Sequence, residues 1–419
     1  MVVAPDRYRE LLGLPKNRSW AVQGAGLSYA ATAFGNNSTV IDMRRFNRIL
    51  EFDASERKIR VESGLSVGSL FYFLSQHGLH LPAMPGHPQI TIGGCIAADI
   101  HGKNPVRDGP FSNYVQALSL FHPSNGILEV DGDHMPELLE LTCGGYGLTG
   151  IVVDATLRVC PLLGSSIETK YVSVENPTDG GKALAQASSD VDSAYGWLDL
   201  ASSGTSRGSG FLALGTICSG ARGATPPLND ANAPPAGRGP ALFGRRTLPV
   251  LNLLYRRAQL AKSSDIKPLN KALFPAVENA VYFRGFGTKG FIEQQVLVPE
   301  HAWPNYVSEL IGLVQKHRPS IALGILKHFR GAQRLLRFGG NGLSLALQIC
   351  ADNAQPEFSK GIDELAIQHG AVGNLVKDSR LTAGAAQRMF GEYNEFRSRL
   401  LDFDRHRLFR TALSERLAL

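Results

Sequence analysis

Cysteine is scarce: five in 419 residues, Cys95, Cys143, Cys160, Cys218 and Cys350, with no CxxC pair among them. An odd, scattered set gives neither a disulfide framework nor a zinc pattern, so no metal is expected and a reducing cytoplasm is the natural setting. Long apolar runs are missing too. No stretch reaches the roughly 20 uncharged residues that cross a bilayer. The opening MVVAPDRYRELLGL carries acidic residues and no long apolar core, so no secretory signal is expected. Charge is nearly balanced, 43 Lys and Arg against 37 Asp and Glu, for a net +6. That surplus suits an anionic substrate, a phosphate-bearing cofactor or peripheral contact with a membrane surface. It is too small to argue for nucleic acid, and no nucleic-acid module is visible. With 43% hydrophobic and 19% charged residues, the composition excludes a disordered chain. The length allows two or three domains.

Glycine, by contrast, is plentiful and clustered. Residues 83–104, AMPGHPQITIGGCIAADIHGKN, set Gly86, Gly93, Gly94 and Gly102 among apolar and small residues and end in Asp99, His101 and Lys103. Paired glycines occur where a Cβ would collide with something brought close. The stretch is therefore either the wall of a cofactor slot or a Gly-rich turn before a buried helix. Upstream, a short apolar strand at 20–22 runs into Gly24-Ala25-Gly26-Leu27-Ser28-Tyr29, a tight turn whose backbone N–H groups can hold a pyrophosphate. It lacks the third glycine and the directly following helix of the Rossmann fingerprint. A third cluster, CGGYGLTG at 143–150, is a further backbone-to-ligand contact or an unusually tight turn feeding a strand at 151–159. Around these, periodicity predicts strands at 40–43, 58–62, 115–121 and 126–130 and helices at 66–77 and 136–142.

Pro161 marks a change of character. Strands are predicted at 168–174, 194–199, 210–217, 291–298 and 343–349, and helices at 302–317, 356–369 and 383–400. Such grouping suggests an antiparallel sheet covered by helices. Residues 220–244, rich in Pro, Gly, Ala and Asn, read as an exposed or disordered loop. Residues 245–271 are basic and leucine-rich: a lid or core helix with a solvated Arg face, or a surface that touches lipid.

Six segments together, GAGLSY (24–29), IDM (41–43), PGHPQITIGG (85–94), DIHGKN (99–104), GGYGLTGI (144–151) and KDSR (377–380), resemble the FAD-dependent oxidases of the vanillyl-alcohol oxidase and p-cresol methylhydroxylase superfamily. The narrower likeness is to the decaprenylphosphoryl-β-D-ribose 2-oxidase family. It extends from about Arg18 to the C-terminus and is weak between 220 and 290. The resemblance implies an α+β, two-domain flavoprotein. Residues 1–160 form its PCMH-type FAD-binding domain, and 161–370 an antiparallel-sheet substrate domain with a flexible basic loop at 220–271. Residues 371–419 return to the flavin. By the same analogy Gly24, Ala25, Gly26, Leu27, Ser28 and Tyr29 hold the pyrophosphate. Gly86, Thr91, Ile92, Gly93, Gly94, Ala98, Asp99, Ile100 and His101 line the rest of the dinucleotide, Ile151 meets the adenine side, and Lys377 the isoalloxazine. The implied reaction oxidises the 2-hydroxyl of a polyprenyl-phosphate-linked ribose, the first half of an epimerisation to arabinose that a short-chain reductase partner completes. A soluble sugar, alditol or aldonolactone oxidase of the same superfamily is the alternative, and a non-catalytic flavoprotein a third.

The chain also departs from the family pattern. Residues 22–33 contain no histidine, the residue that attaches flavin in many relatives, and no cysteine precedes Gly93 in the wall. Non-covalent FAD is therefore expected. The family's Gln-x-Gln reads Glu293-Gln294-Gln295, and the strand with an asparagine and a cysteine near the flavin reads Gly342-Leu343-Ser344-Leu345-Ala346. Oxidising a secondary alcohol needs a hydride acceptor, a proton acceptor and cations for the growing negative charge; FAD is the first. Lys377 is the candidate charge near the flavin or the substrate oxygen, against a surface lysine paired with Asp378. His101 orients flavin or substrate, or is a structural hydrogen-bonder. Lys327 and Gln295 are candidates for substrate phosphate and sugar hydroxyls. No sequence feature identifies a general base.

Overall fold

Alternation of buried Ile59 and Val61 with Lys58 and Arg60 makes Lys58–Glu62 a strand with one apolar face. It is the second member of a five-stranded antiparallel sheet ordered Ile49–Asp53, Lys58–Glu62, Ile151–Arg158, Val115–His122, Gly126–Asp131. The structure is a computed structural model and describes residues 1–14, 18–30, 32–219, 240–262, 264–275 and 280–419. The helix Val67–Gln76 packs into the same core. Ser66 caps it by accepting from the Ser69 N–H, and Val67, Leu70, Phe71 and Leu74 form its buried face. Burying each of these larger side chains contributes about 1.5–3 kcal/mol. Beside this sheet, Val2–Val3, Thr39–Asp42 and Trp20–Gln23 form a small parallel sheet with the Thr39 strand in the middle.

An eight-stranded sheet builds the second unit. Its order is Asp265–Pro268, Ser166–Val174, Gly210–Ile217, Ser193–Leu198, Ile321–Phe329, Gly342–Cys350, Phe291–Pro299, Val372–Gly373, and the paired strands are antiparallel throughout. Directly opposed residues share a face. One face presents Val296, Val298, Leu326, Leu343, Leu345, Leu347 and Ile349 to a large core shared with the helices Pro177–Ala187, Trp303–His317 and Gln355–Gln368. The opposite face carries Glu293, Gln295, Lys327, Ser344 and Gln348 and, farther along, Trp197 and Phe211.

Several expectations change. The central strand Ile321–Phe329 escapes sequence reading because its IALGIL run is apolar on both faces and has no period to classify. The helix Pro177–Ala187 is hidden by Gly180-Gly181, yet a Cβ at Gly181 would lie 2.4 Å from the Trp303 Nε1, so packing demands the glycine. The single helix expected at 383–400 is two, Ala383–Met389 and Tyr393–Phe403, separated at the extended Phe390. Residues 248–260, expected within a flexible loop, form a helix laid on the sheet: Tyr255 packs 5.2 Å from Trp197. Residues 220–239 of that expected loop lie outside the described residues. The C-terminal segment comes back to the first unit, where Trp20 N–H donates to the Leu408 carbonyl at 2.6 Å and Arg410 N–H to the Trp20 carbonyl at 2.8 Å.

Candidate functional site

The first glycine cluster leaves its strand at Gln23 and turns through Gly26 at φ +68°, a conformation that favours glycine. A Cβ on Gly24 would sit 2.1 Å from Thr91 Oγ1, so the loop is pressed onto the second cluster. The backbone N–H groups of Ala25, Gly26, Leu27, Ser28 and Tyr29 have no hydrogen-bond partner among the described residues, whereas Ala30 N–H donates to the Val376 carbonyl at 3.1 Å. Five consecutive amides without protein acceptors fit an anionic group such as a pyrophosphate. Ser28 Oγ donates to the Val376 carbonyl at 3.0 Å and ties the loop to the segment that carries Lys377.

The wall is a short helix, Ile92–Ala98, capped by Thr91, whose Oγ1 accepts from Gly94 N–H at 3.3 Å. Its parts serve different masters. Ile92 is fully buried in the protein core, and Gly93 is packed on Ser63, to whose carbonyl it donates at 2.7 Å. Gly86 and Gly94 face more room: a Cβ on Gly86 would meet only Lys103 Nζ, at 3.8 Å. Asp99 ends the helix in the left-handed region, and its carboxylate accepts from Ser112 N–H at 2.8 Å and Ser112 Oγ at 3.0 Å, with Arg337 at 3.6 Å. What Asp99 can offer a cofactor is backbone, since its side chain is committed to the protein; burial outweighs the Arg337 attraction and pushes that carboxyl above its usual range. Ile151 is likewise buried in the core, beside Trp20. The third glycine cluster makes a tight turn against the end of this helix. Gly144 and Tyr146 N–H groups donate to the Ile96 and Ala97 carbonyls at 2.9 and 2.8 Å, and a Cβ on Gly150 would meet the Phe121 carbonyl at 2.7 Å.

Past this helix, Ile100 packs against the core of the first unit and His101 reaches the polar face of the large sheet. His101 Nδ1 lies 3.3 Å from Lys327 Nζ, which also donates to the Gly102 carbonyl at 3.0 Å. His101 Nδ1 also lies 3.1 Å from the Gly102 carbonyl, so ring, ammonium and carbonyl form one contact set. Phe329 packs edge-on against the ring at 4.9 Å. Burial, then repulsion from Lys327, holds His101 well below the usual histidine range, so it is neutral at physiological pH. Burial, with repulsion from Lys103 and Lys377, also pulls Lys327 well below its ordinary range, opposed by Glu293. Lys103 drops to about 8 through burial and repulsion from Lys377. Three lysines from three segments thus crowd around His101.

Lys377 is not the surface partner of Asp378. Its Nζ bonds Glu293 Oε1, while Asp378 accepts from Arg380 at 2.9 Å. Gln295 spends its amide inside the protein: Nε2 donates to Ser344 Oγ at 3.0 Å, and Oε1 accepts from Asn374 Nδ2 at 2.9 Å. It positions the loop that carries Lys377. Glu293 was missed as a site residue; the available signal was a charged side chain inside the otherwise apolar and amide strand FIEQQVLVP. Lys103 was missed as a site residue too, because nothing local shows that it meets Lys377.

Comparison with known proteins agrees with the geometry. Residues 13–131 match the FAD binding domain family. Over 96% of its length the chain is 26% identical to the decaprenylphosphoryl-beta-D-ribose oxidase of Mycolicibacterium smegmatis, covering 90% of that protein. It is 28% identical to an uncharacterized protein of Streptomyces coelicolor, over 82% of this chain and 96% of the other. A likeness of 31% to the mitochondrial L-galactono-1,4-lactone dehydrogenase of Brassica oleracea spans 38% of this chain and 26% of that one. The cofactor these findings support is FAD. Its mode of attachment is a prediction: acid precipitation should leave the yellow colour in the supernatant, and colour in the pellet would show a covalent link.

Proposed function

We propose that this chain, an FAD-dependent oxidoreductase of the α+β PCMH-type fold, oxidises a ring hydroxyl of a pentose carried on a polyprenyl phosphate. The observation that carries the reading is the lysine cluster. Lys377 pairs with Glu293, Lys327 also feels that carboxylate, and Lys103 lies close enough to Lys377 to be repelled by it, so an anionic group on the substrate balances the site. The full-length likeness to an oxidase named for a decaprenylphosphoryl ribose supports the same substrate class. FAD would supply hydride acceptance. The chain's own residues do the rest: the loop amides of residues 25–29 hold the diphosphate, and neutral His101 and Lys327 orient the ring-facing groups. Lys377 offsets charge that develops during transfer, and Lys103 takes the substrate phosphate. The product ketone would pass to a short-chain reductase.

Anaerobic mixing with a short-chain prenylphosphoryl ribose should bleach the flavin, whereas free pentoses and aldonolactones should leave it oxidised. The reverse pattern would establish a soluble sugar or lactone oxidase instead. The lysine cluster also sets a pH dependence. A lysine with a lowered value is a cation below that value and neutral above it, so phosphate recognition weakens as pH rises through about 8, where Lys103 titrates. The ratio kcat/KM, which reports the free enzyme, should then fall roughly tenfold per pH unit. Lys103→Met should flatten that alkaline limb.

A membrane-bound substrate requires a docking surface, and Leu248–Leu260 suits one. Val250, Leu251, Leu253 and Leu254 are exposed on it, with Arg246 and Arg257 nearby. Arg256 and Lys262 are less free than composition suggests: Arg256 donates to Ser209 Oγ at 2.8 Å and Lys262 pairs with Asp265 at 3.2 Å. Among the described residues no helix is long and apolar enough to cross a membrane. Flotation with anionic vesicles should recover the protein, and Leu253→Asp with Leu254→Asp should abolish recovery; no flotation of the wild type at low salt would remove the docking role.

A further inference from the structure

We propose that Glu293 is the proton acceptor of the reaction: its carboxylate takes the substrate hydroxyl proton as the hydride leaves the same carbon. The inference rests on the alcohol oxidation proposed above, and concerns a position where the family pattern has glutamine. Glu293 is only 6% exposed, and a carboxylate buried that deeply needs partners to stay charged. It has them without being used up. Lys377 bonds Oε1, and Gln348 Nε2 donates to Oε2 at 2.8 Å; Gln348 Oε1 in turn accepts from the Tyr282 hydroxyl at 2.9 Å. Each carboxylate oxygen keeps a lone pair for a further donor. The charged and titratable groups that face it are Lys377 from the segment after Val372–Gly373, Lys327 from the central strand, Tyr29 from the pyrophosphate loop, and Tyr282 from the helix Ala280–Arg284.

The rivals are weaker bases by position and charge. His101 is a neutral imidazole held well below its ordinary range, Lys103 carries a proton at physiological pH, and Lys327 directs its Nζ at Gly102 and His101. Tyr29 and Tyr282 are both pushed up by burial and by Glu293 itself, so they remain phenols. In the step, the carbinol C–H and O–H bonds break and a C=O bond forms. The hydrogen of the C–H bond leaves with both electrons to oxidised FAD, and the hydroxyl proton goes to Glu293. The neutral carboxyl then returns its proton to solvent once the ketone has left.

The test uses FAD-loaded wild type, Glu293→Gln and Glu293→Asp, with rapid-mixing reduction by a short-chain prenylphosphoryl ribose and, in parallel, by a panel of pentoses and aldonolactones. Glu293→Gln should reduce about a hundred- to ten-thousandfold more slowly and lose the acid side of the pH dependence, while Glu293→Asp keeps both in part. Sulfite affinity of the flavin, which needs no substrate, should stay within about threefold of wild type in Glu293→Gln. A role confined to holding Lys377 would instead shift sulfite affinity tenfold or more and keep the acid limb, and that result overturns the proposal. So does reduction of Glu293→Gln within tenfold of wild type. If wild type is bleached only by a compound of the panel, the substrate reading fails and Glu293 is judged on that compound. If nothing bleaches the wild type, both fall.

Discussion

Lys377→Ala should keep much of its FAD yet be reduced by substrate about thirty- to a thousandfold more slowly, the equivalent of roughly 2–4 kcal/mol of lost charge stabilisation. The structure sharpens this expectation by showing where the ammonium is. It is one-third exposed and joined to buried Glu293, so it is held at the junction of the two units rather than waving in solvent. Removing it also strands a buried carboxylate, which lowers stability for reasons unrelated to the reaction. The double variant Lys377→Ala with Glu293→Gln isolates the stability effect: thermal stability should recover once the stranded charge is gone. Near-normal reduction of the single variant would remove Lys377 from the chemistry.

Gly94→Val should fold and yet hold FAD roughly 5- to 150-fold less tightly, as 1–3 kcal/mol of overpacking implies. A Cβ at Gly94 would meet only Thr91 Oγ1 at 3.3 Å and Ile90 Cγ2 at 3.9 Å. The protein itself leaves that side of the helix almost clear, so a large loss of FAD would mean that the cofactor fills it. Gly24→Ala is the contrasting case. Its Cβ would be driven to 2.1 Å from Thr91 Oγ1, so loop and cap must separate and melting temperature should fall along with FAD retention. Unchanged FAD affinity in Gly94→Val, with a normal melting temperature, would show that the wall does not face the cofactor.

Much of the fold could be read locally. Ser66, the spacing of Val67, Leu70, Phe71 and Leu74, and Gly78 delimit a helix with chemistry that acts within a turn or two. The alternation of Lys58–Glu62 and the turn before Gly126 do the same for the first sheet. Reading failed where a neighbour far along the chain decided the outcome. Gly180 and Gly181 argue against a helix until Trp303 is seen to fill the space beside Gly181. In the cluster at 144–150, Gly144 and Tyr146 turn their N–H groups onto the end of the helix Ile92–Ala98, a partner that no local pattern names. Asp99 sits in the motif that suggests a cofactor, but Ser112 and Arg337 claim its carboxylate.

The sequence by itself determined the composition of the site: a loop of unpartnered amides, a wall with small residues, a histidine and a supply of lysines and carboxylates. Hydrophobic period and turn chemistry are short-range, so the strands and most helices that carry these groups follow from them. Only the tertiary structure decided which groups meet. Glu293 and Lys377 are 84 residues apart, and Lys327 lies 226 residues from His101. Their contacts depend on the register of three antiparallel strands and on a C-terminal segment that folds back. That register also puts Glu293 and Lys327 on the same face of the sheet, where burial and mutual repulsion set the charge each can carry.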